Sequence, residues 1–324
     1  MTSSTKKLIS LGLKAAILVL AFFFIYHQYI NKGDSLKDFE QLISGIGHRQ
    51  VAITLSAVVL MMFANWTLEA LKWKYLTRAL ANITLWQAIE GVFCGLTWAV
   101  ITPNRFGEYG GRVMYLPPRR RIHGVFAMAV GAFGQNVITN VLGSSAFVWF
   151  IYRFLSLNAW LSMAILLGTF VFISLFMVLY FNIKWLVWLL DKIPFLKKHH
   201  RFFEVMGRYK TNELLTVMLF CLGRFSIFSM QYYLVIHLLI PTLPLYEILL
   251  MVFIVFYIQS ALPSLDVLDI AVRTYAATTI FAYVTDQQVA VVAAFTSIWL
   301  INLIIPAILG MIFTLKLKFF DNNL

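Results

Sequence analysis

The stretch TPNRFGEYGGR, residues 102–112, lies between two apolar runs and interrupts them. Its Pro103 has no backbone N–H and breaks a helix, while the glycines that follow, Gly107, Gly110 and Gly111, permit backbone geometries that other residues resist. We therefore predict that the chain turns within this stretch, with Pro103 and Gly107 as the helix-breaking residues.

The same stretch carries charge that the apolar runs around it largely lack. Arg105, Glu108 and Arg112 lie close together in sequence. If the flanking runs are membrane helices, backbone that is not helical must lie against protein or water, because lipid offers it no hydrogen-bond partners. A broken helix that also bears charged side chains predicts a functional site.

The composition is that of a membrane protein. Of 324 residues, 61% are hydrophobic and 12% are charged, whereas roughly 25% of the residues of a soluble domain are charged. Spans of about 20 residues each use nearly the whole chain, so a separate soluble domain does not fit. We predict an all-α, polytopic transmembrane helix bundle of about 7–9 hydrophobic segments. It forms a single multi-pass domain over residues 1–324, integral to the plasma membrane.

The net charge of +12 does not indicate nucleic acid as a partner. The basic residues fall in short loops between apolar runs, where the positive-inside rule places them. Cys94 and Cys221 lie within apolar segments and have no metal-ligand spacing around them. We expect membrane lipids as partners, and neither a metal site nor a cofactor.

Two apolar runs precede the central stretch. The run 8–30 is too long for a signal-peptide core and is interpreted as a retained first span with a cytoplasmic N-terminus, because lysines flank it. The second span, about 51–71, ends in aromatic and charged residues that are typical of a membrane-interface belt. Glu69, Lys72 and Arg78 are among the residues assigned to that belt.

The third apolar run, 85–101, is short, carries Glu90 and ends at the proline turn. Basic residues flank it on both sides, so both flanks are expected to be cytoplasmic. A re-entrant segment that enters and leaves on one side of the membrane satisfies both conditions.

The next predicted span, 124–152, carries polar side chains at helical spacing, including Gln135, Asn136 and Asn140. Two interpretations remain open for them. Polar residues of membrane helices commonly form hydrogen bonds between helices, and they can also line a cavity. A further single span is predicted for 158–190.

Arg224 lies well inside the sixth apolar run, 214–240. A charge near the centre of a bilayer costs at least roughly 2.5–3.5 kcal/mol. We therefore predict that Arg224 has a charged partner.

A pattern like that of the first broken segment returns later in the chain. The run 246–261 is again short and ends near Pro263, which follows Pro103 by 160 residues, and acid and arginine follow in the same order. We predict two repeats, about 51–160 and 213–316, each with a broken or re-entrant helix. The different charge of the two motifs favours an inverted repeat, whereas Lys316 and Lys318 favour a cytoplasmic C-terminus that conflicts with inversion, so both orientations stay open. A kink is predicted at Pro306 in the last run. The charged residues of the second motif are Asp266, Asp269 and Arg273.

These motifs resemble the lysylphosphatidylglycerol synthase transmembrane region family, a flippase-like membrane module. The resemblance rests on residues 102–108, which are similar to the family's Pro-x-Arg-x-Gly-Glu element, and on the later proline motif, 263–269, which has no glycine turn here. It extends over nearly the whole chain and implies the binding or movement of a lipid with a polar headgroup. The soluble synthase domain does not follow the last span, so we expect no synthase activity.

Candidate roles follow from side-chain chemistry. The planar guanidinium group of arginine has several N–H donors and can bind two phosphate oxygens at once. We therefore assign headgroup binding to Arg105, Arg112, Arg224 and Arg273. Acidic residues would hold these arginines or bind a headgroup amine. They are Glu108, Asp269, Asp266 and Glu90.

Two other functions stay open. A membrane-embedded transferase acting on lipid-linked substrates would need clustered carboxylates, for which Asp266 and Asp269 are the only plausible pair. The chain is alternatively a non-transporting accessory subunit that works with a partner enzyme of lipid modification. We expect the chain not to be an enzyme.

Overall fold

The computed structural model describes residues 46–100, 102, 105–194, 200–261 and 266–316, with the backbone alone for 266–271 and 316. The described residues form α-helices and turns without β-strands, which confirms the predicted all-α class. The predicted first span 8–30, Pro103 and Pro263 lie outside the described residues.

We number the α-helices of this part of the chain in order. A 3₁₀ turn, Pro118–Arg120, leads into α4, and a π-helical turn, Leu300–Ile304, joins α11 to α12. The helices are α1 His48–Thr77, α2 Leu85–Val100, α3 Phe106–Val113, α4 Arg121–Phe154, α5 Ala159–Phe181, α6 Ile183–Asp191, α7 His200–Gly207, α8 Thr211–Leu239, α9 Leu245–Ala261, α10 Asp266–Phe281, α11 Gln288–Trp299 and α12 Ile305–Lys316.

Five helices in the described residues are long and apolar enough to cross a membrane. Polytopic organisation is therefore supported, whereas a total of 7–9 hydrophobic segments is not. Several predicted segments form helices of only 16 or 17 residues, which are short for a bilayer crossing. The five long helices are His48–Thr77, Pro118–Phe154, Ala159–Phe181, Thr211–Leu239 and Gln288–Leu315.

Helices α1 and α8 pack against each other in antiparallel directions. Near the end of α1, Arg78 forms an ion pair with Glu213 at the start of α8. Towards the other end of the pair, the Gln231 side chain donates to the Val58 carbonyl oxygen at 2.8 Å. The end of α1 therefore lies beside the start of α8, and the start of α1 lies beside the end of α8. These two contacts fix how the helices are aligned along their length.

The turn before α8 is tied to the end of α1 as well. The Tyr209 hydroxyl donates to the Leu76 carbonyl oxygen at 2.6 Å. Burial raises the pKa of Tyr209 above its usual range, so the hydroxyl keeps its proton and remains a donor at neutral pH.

Helices α2 and α3 form a hairpin, as the sequence predicted for the chain reversal after 100. Trp98 lies beside Gly107, and Gly95 lies beside Gly111, so the two helices run antiparallel. The Thr102 hydroxyl joins them, because it donates to the Trp98 carbonyl oxygen at 2.9 Å and accepts from the Gly107 N–H at 2.7 Å.

The glycines of this hairpin have a role different from the predicted one. Among the described residues no glycine has positive φ, and the left-handed conformation belongs to Arg105 at φ 58°. Gly107 is helical and is not the helix breaker. A Cβ on Gly111 would lie 2.5 Å from the Gly95 Cα atom, so these glycines permit close approach of two helices rather than an unusual turn.

The predicted kink at Pro306 coincides with an irregular turn. The π-helical turn 300–304 ends immediately before α12, and the Ile305 N–H donates to the Leu300 carbonyl oxygen. Proline cannot donate in the α-helical ladder and clashes with the preceding turn, which explains the irregularity. Helix α12 then packs on α2, where the Thr97 hydroxyl donates to the Ala307 carbonyl oxygen at 2.7 Å.

The predicted single span 158–190 is wrong, because two helices occupy it. Asn182 leaves the helical conformation at ψ 48° and separates α5 from α6. Helix α5 buries only Tyr180 among its residues, whereas the shorter α6 buries Ile183 and Val187. Asparagine favours such breaks because its side chain competes for backbone hydrogen bonds.

Candidate functional site

Charged side chains from α1, α3 and α8 converge inside the helical bundle. We call them the charged cluster and define it by six residues, four basic and two acidic. They are Glu69, Lys72, Arg105, Glu108, Arg112 and Arg224.

Glu69 lies at the centre of the charged cluster. Its Oε1 accepts from Arg112, and its Oε2 accepts from Arg224 and lies 2.8 Å from the Lys72 ammonium nitrogen. The side chain of Glu69 is only 5% exposed. One buried carboxylate therefore joins three cations contributed by three different helices.

Helix α3 supplies the second carboxylate. Glu108 accepts from Arg112, one turn later on the same helix, and lies 3.3 Å from the Nε atom of Arg105. Arg112 thus donates to Glu69 with one terminal nitrogen and to Glu108 with the other. The guanidinium plane of Arg112 connects the α3 carboxylate to the α1 carboxylate.

Arg224 is held on α8 by neutral groups as well as by Glu69. Its Nε atom donates to the Asn65 side-chain oxygen at 3.0 Å. The guanidinium carbon lies 5.3 Å from the centre of the Trp66 ring, within the range of a cation–π interaction. These contacts fix the direction of the guanidinium and leave its Nη2 atom outside the Asn65 and Glu69 bonds.

Small residues of the neighbouring helices make room for these long side chains. A Cβ on Gly131 of α4 would lie 3.3 Å from the Lys72 Cε atom. On α3, Gly111 allows Arg112 to reach α1 across the tightly packed hairpin. The aliphatic parts of the Lys72 and Arg112 side chains therefore pack in the contacts between neighbouring helices.

The charged cluster lies within the length of the membrane-spanning helices. Arg224 is about 13 residues, or roughly 20 Å, from the start of α8. Lys72 and Arg112 are 4% and 2% exposed, whereas Arg224 is 16% and Arg105 is 40% exposed. Exposure therefore increases within the cluster from Lys72 and Arg112 to Arg224 and then to Arg105.

The charges of the cluster do not balance. Four basic side chains meet two carboxylates, which leaves a formal excess of two positive charges within the six residues. Positive charge in a low-dielectric interior is costly unless an anion compensates for it. The arrangement is chemically suited to hold an anionic group.

The structure brings together four of the sequence-predicted site residues. Arg105, Glu108, Arg112 and Arg224 all belong to the charged cluster. The prediction that Arg224 has a charged partner agrees with this geometry, since Glu69 is that partner.

Other predicted site residues lie elsewhere. Arg273 on α10 donates to the Tyr232 hydroxyl on α8 at 3.1 Å, about two helical turns beyond Arg224. Glu90 is half-buried on α2, close enough to Cys94 and Tyr115 to act on them electrostatically. The side chains of Asp266 and Asp269 lie outside the described part of the chain.

The predicted cavity-lining residues of α4 have hydrogen bonds within their own helix. The Asn140 amide donates to the carbonyl and side-chain oxygens of Asn136, both at 2.8 Å. Asn140 is buried, Asn136 is exposed and Gln135 lies between these extremes. Their assignment as cavity-lining residues stays a prediction. Within the described ranges no group of three or more His, Cys, Asp or Glu side chains is arranged to hold a metal ion.

The central residues of the site lie inside the bundle and not at the membrane interface, where the sequence predicted two of them. Glu69 and Lys72 were expected in an interface belt, but both are buried and paired in the charged cluster. Asn65, which supports Arg224, was not singled out. The sequence does contain a signal for this arrangement. Residues 65, 69 and 72 have the spacing that places polar side chains on one face of a helix.

Comparison with models of protein families, with curated proteins and with solved structures found no match to the chain. The functional interpretation below therefore rests on the charged cluster and on the resemblance of the sequence motifs.

Proposed function

We propose that the chain is a flippase-like membrane protein, related to the lysylphosphatidylglycerol synthase transmembrane region family. It binds a lipid with a polar, anionic headgroup at the charged cluster and moves that lipid across the plasma membrane. The observation that carries this proposal is the charged cluster itself, in which the buried carboxylate of Glu69 joins Lys72, Arg112 and Arg224 from three helices inside the bundle.

Arginine chemistry supports an anionic headgroup. A guanidinium binds phosphate oxygens with two parallel donors, and these bonds strengthen where water is excluded. Arg105 and Arg224 are the two basic residues of the charged cluster whose side chains are most exposed. In the proposed site they contact the headgroup, whereas Lys72 and Arg112 hold the carboxylates in position.

The proposed transport path uses two broken segments, one in each repeat. Helices α2 and α9 begin at Leu85 and Leu245, which are separated by 160 residues, as Pro103 and Pro263 are in the sequence. Paired short segments at matching positions of two halves favour a transporter-type site near the membrane midplane. We propose that this correspondence reflects the repeats 51–160 and 213–316.

Lipid movement in reconstituted vesicles tests the proposal. The protein is placed in vesicles with a fluorescent anionic phospholipid in both leaflets, and a membrane-impermeant quencher is added. Wild-type protein should make nearly all the fluorescence accessible, whereas Arg224→Gln should slow that exposure by at least about tenfold, since about 1.4 kcal/mol of lost headgroup interaction suffices.

Arg120→Gln is the matched control, because Arg120 is an exposed arginine of the 3₁₀ turn outside the charged cluster. It should move lipid at the wild-type rate. Equal rates in protein-free vesicles, wild-type vesicles and both variants would refute lipid movement by the chain.

A further inference from the structure

We infer that α6 lies along the membrane surface and inserts an exposed apolar stripe among anionic lipid headgroups. The stripe consists of Trp185, Trp188 and Leu189, and we call it the tryptophan stripe. It is separate from the charged cluster, whose residues belong to α1, α3 and α8, and from the proposed movement of lipid. The tryptophan stripe attaches one end of the bundle to one leaflet.

The position of α6 follows from its contacts with α7 and α4. Phe203 on α7 packs against Phe126 in the second turn of α4, with ring centres 6.0 Å apart. Helix α6 packs on α7 in turn, since a Cβ on Gly207 would lie 3.5 Å from a methyl carbon of Val187. With 34 residues, α4 is longer than the roughly 20 that cross the hydrocarbon core, so its first turns reach the headgroup region. Helix α6 therefore lies at the level of the headgroups.

Helix α6 has two unlike faces. Ile183 and Val187 are buried against the bundle. Trp185 and Trp188 are each 57% exposed and Leu189 is 53% exposed. The spacing of residues 185, 188 and 189 places the three exposed side chains on one side of the helix. A short helix with one packed face and one exposed apolar face is typical of a segment that lies in the membrane interface.

The side chains around the tryptophan stripe favour anionic headgroups. Tryptophan prefers the interface of a membrane, because its ring is apolar and its N–H is polar. Lys184 and Lys192 are exposed on the same helix, and the Lys192 Nζ atom lies 3.6 Å from the centre of the Trp188 ring. The single acid of α6, Asp191, lies 2.6 Å from the His200 Nδ1 atom on α7. The exposed charge beside the stripe is therefore positive.

A second copy of the chain is the other occupant that an apolar stripe could take. In a two-fold dimer the same surface meets itself, so Lys184 and Lys192 of one copy would lie beside those of the other. Such like charges repel each other, whereas each lysine near an anionic leaflet is attracted to it. The charge of α6 thus favours the membrane surface over a dimer.

A fluorescent probe on the tryptophan stripe tests the inference. Leu189→Cys is labelled with an environment-sensitive thiol reagent, because Cys94 and Cys221 are fully buried and react poorly. The labelled full chain is placed in vesicles of phosphatidylcholine with or without phosphatidylglycerol. With phosphatidylglycerol, the emission should shift to shorter wavelength and be quenched by lipids that carry a spin label near the headgroup. Trp185→Cys carries the probe on the same stripe if Leu189→Cys fails to fold.

Charge variants of the labelled chain identify the attraction. Lys184→Gln combined with Lys192→Gln should lower the ratio of inserted to water-exposed probe by roughly 30-fold in the anionic vesicles, which corresponds to about 1 kcal/mol for each lysine. Arg49→Gln combined with Arg153→Gln is the matched control. It removes two exposed basic side chains at the opposite end of the bundle, where α1 begins and α4 ends, and should leave the ratio unchanged.

Three results would overturn the inference. Water-like emission without quenching by spin-labelled lipid would show that the tryptophan stripe faces water. Emission at shorter wavelength without that quenching would show that protein, such as a second copy of the chain, covers it. Equal insertion in both kinds of vesicle would show that anionic headgroups are not what the stripe binds.

Discussion

At the scale of single residues, Glu69 organises the candidate site. Its carboxylate is shared by Lys72, Arg112 and Arg224, which come from three helices. Separating a buried ion pair by removing one partner is far more costly than losing a surface pair, because the remaining charge keeps its desolvation cost. Glu69 should therefore matter for folding as well as for ligand binding.

Glu69→Gln removes the negative charge and leaves three buried cations around a neutral amide. We expect a loss of roughly 3–5 kcal/mol in the free energy of unfolding. Thermal unfolding of the purified protein in detergent measures it, and the variant should unfold at a much lower temperature than wild type.

Glu204→Gln is the control for this experiment. Glu204 forms an ion pair with Arg208 one turn later on the surface, where the two side chains are 44% and 68% exposed. Its loss should cost less than about 0.5 kcal/mol. Similar unfolding temperatures for the two variants would show that Glu69 does not stabilise the bundle.

At the scale of elements, the hairpin of α2 and α3 positions Arg105, Glu108 and Arg112. Its reversal was predictable from sequence, since proline, glycines and charge coincide between two apolar runs. The role of the glycines was not predictable. A glycine that permits a turn and a glycine that permits close helix packing look the same in the sequence. The structure assigns them to helix contact, as the proximity of Gly95 and Gly111 shows.

Gly111→Ala should destabilise the hairpin, because its Cβ would meet backbone atoms of α2 that cannot move aside independently. Overpacking of this kind costs roughly 1–3 kcal/mol. The expected result is a lower unfolding temperature together with reduced lipid binding, measured by thermal unfolding and by native mass spectrometry.

Gly168→Ala provides the comparison within a helix. A Cβ on Gly168 of α5 meets nothing within 4 Å, and alanine has a helix propensity about 0.5–1 kcal/mol more favourable than that of glycine. This variant should be as stable as wild type or more so. If Gly111→Ala behaved in the same way, close approach of α2 and α3 would not be required.

At the scale of the whole molecule, α8 connects the two halves of the chain. It contributes Arg224 to the charged cluster and Tyr232 to the contact with Arg273 on α10, about two turns apart. The apolar runs of the sequence predicted the helices, and the cost of a charge inside a bilayer predicted that Arg224 has a partner. It did not predict Glu69 as that partner, because pairing across 155 residues depends on which helices pack together.

We propose that a headgroup phosphate binds at the charged cluster in contact with Arg105 and Arg224. Electron cryo-microscopy of the protein in nanodiscs that contain an anionic phospholipid tests it directly. We predict headgroup density within hydrogen-bond distance of both guanidinium groups, with Glu69 still paired to Arg112. A charged cluster without headgroup density, or with Arg105 outside the bilayer in bulk water, would contradict the claim.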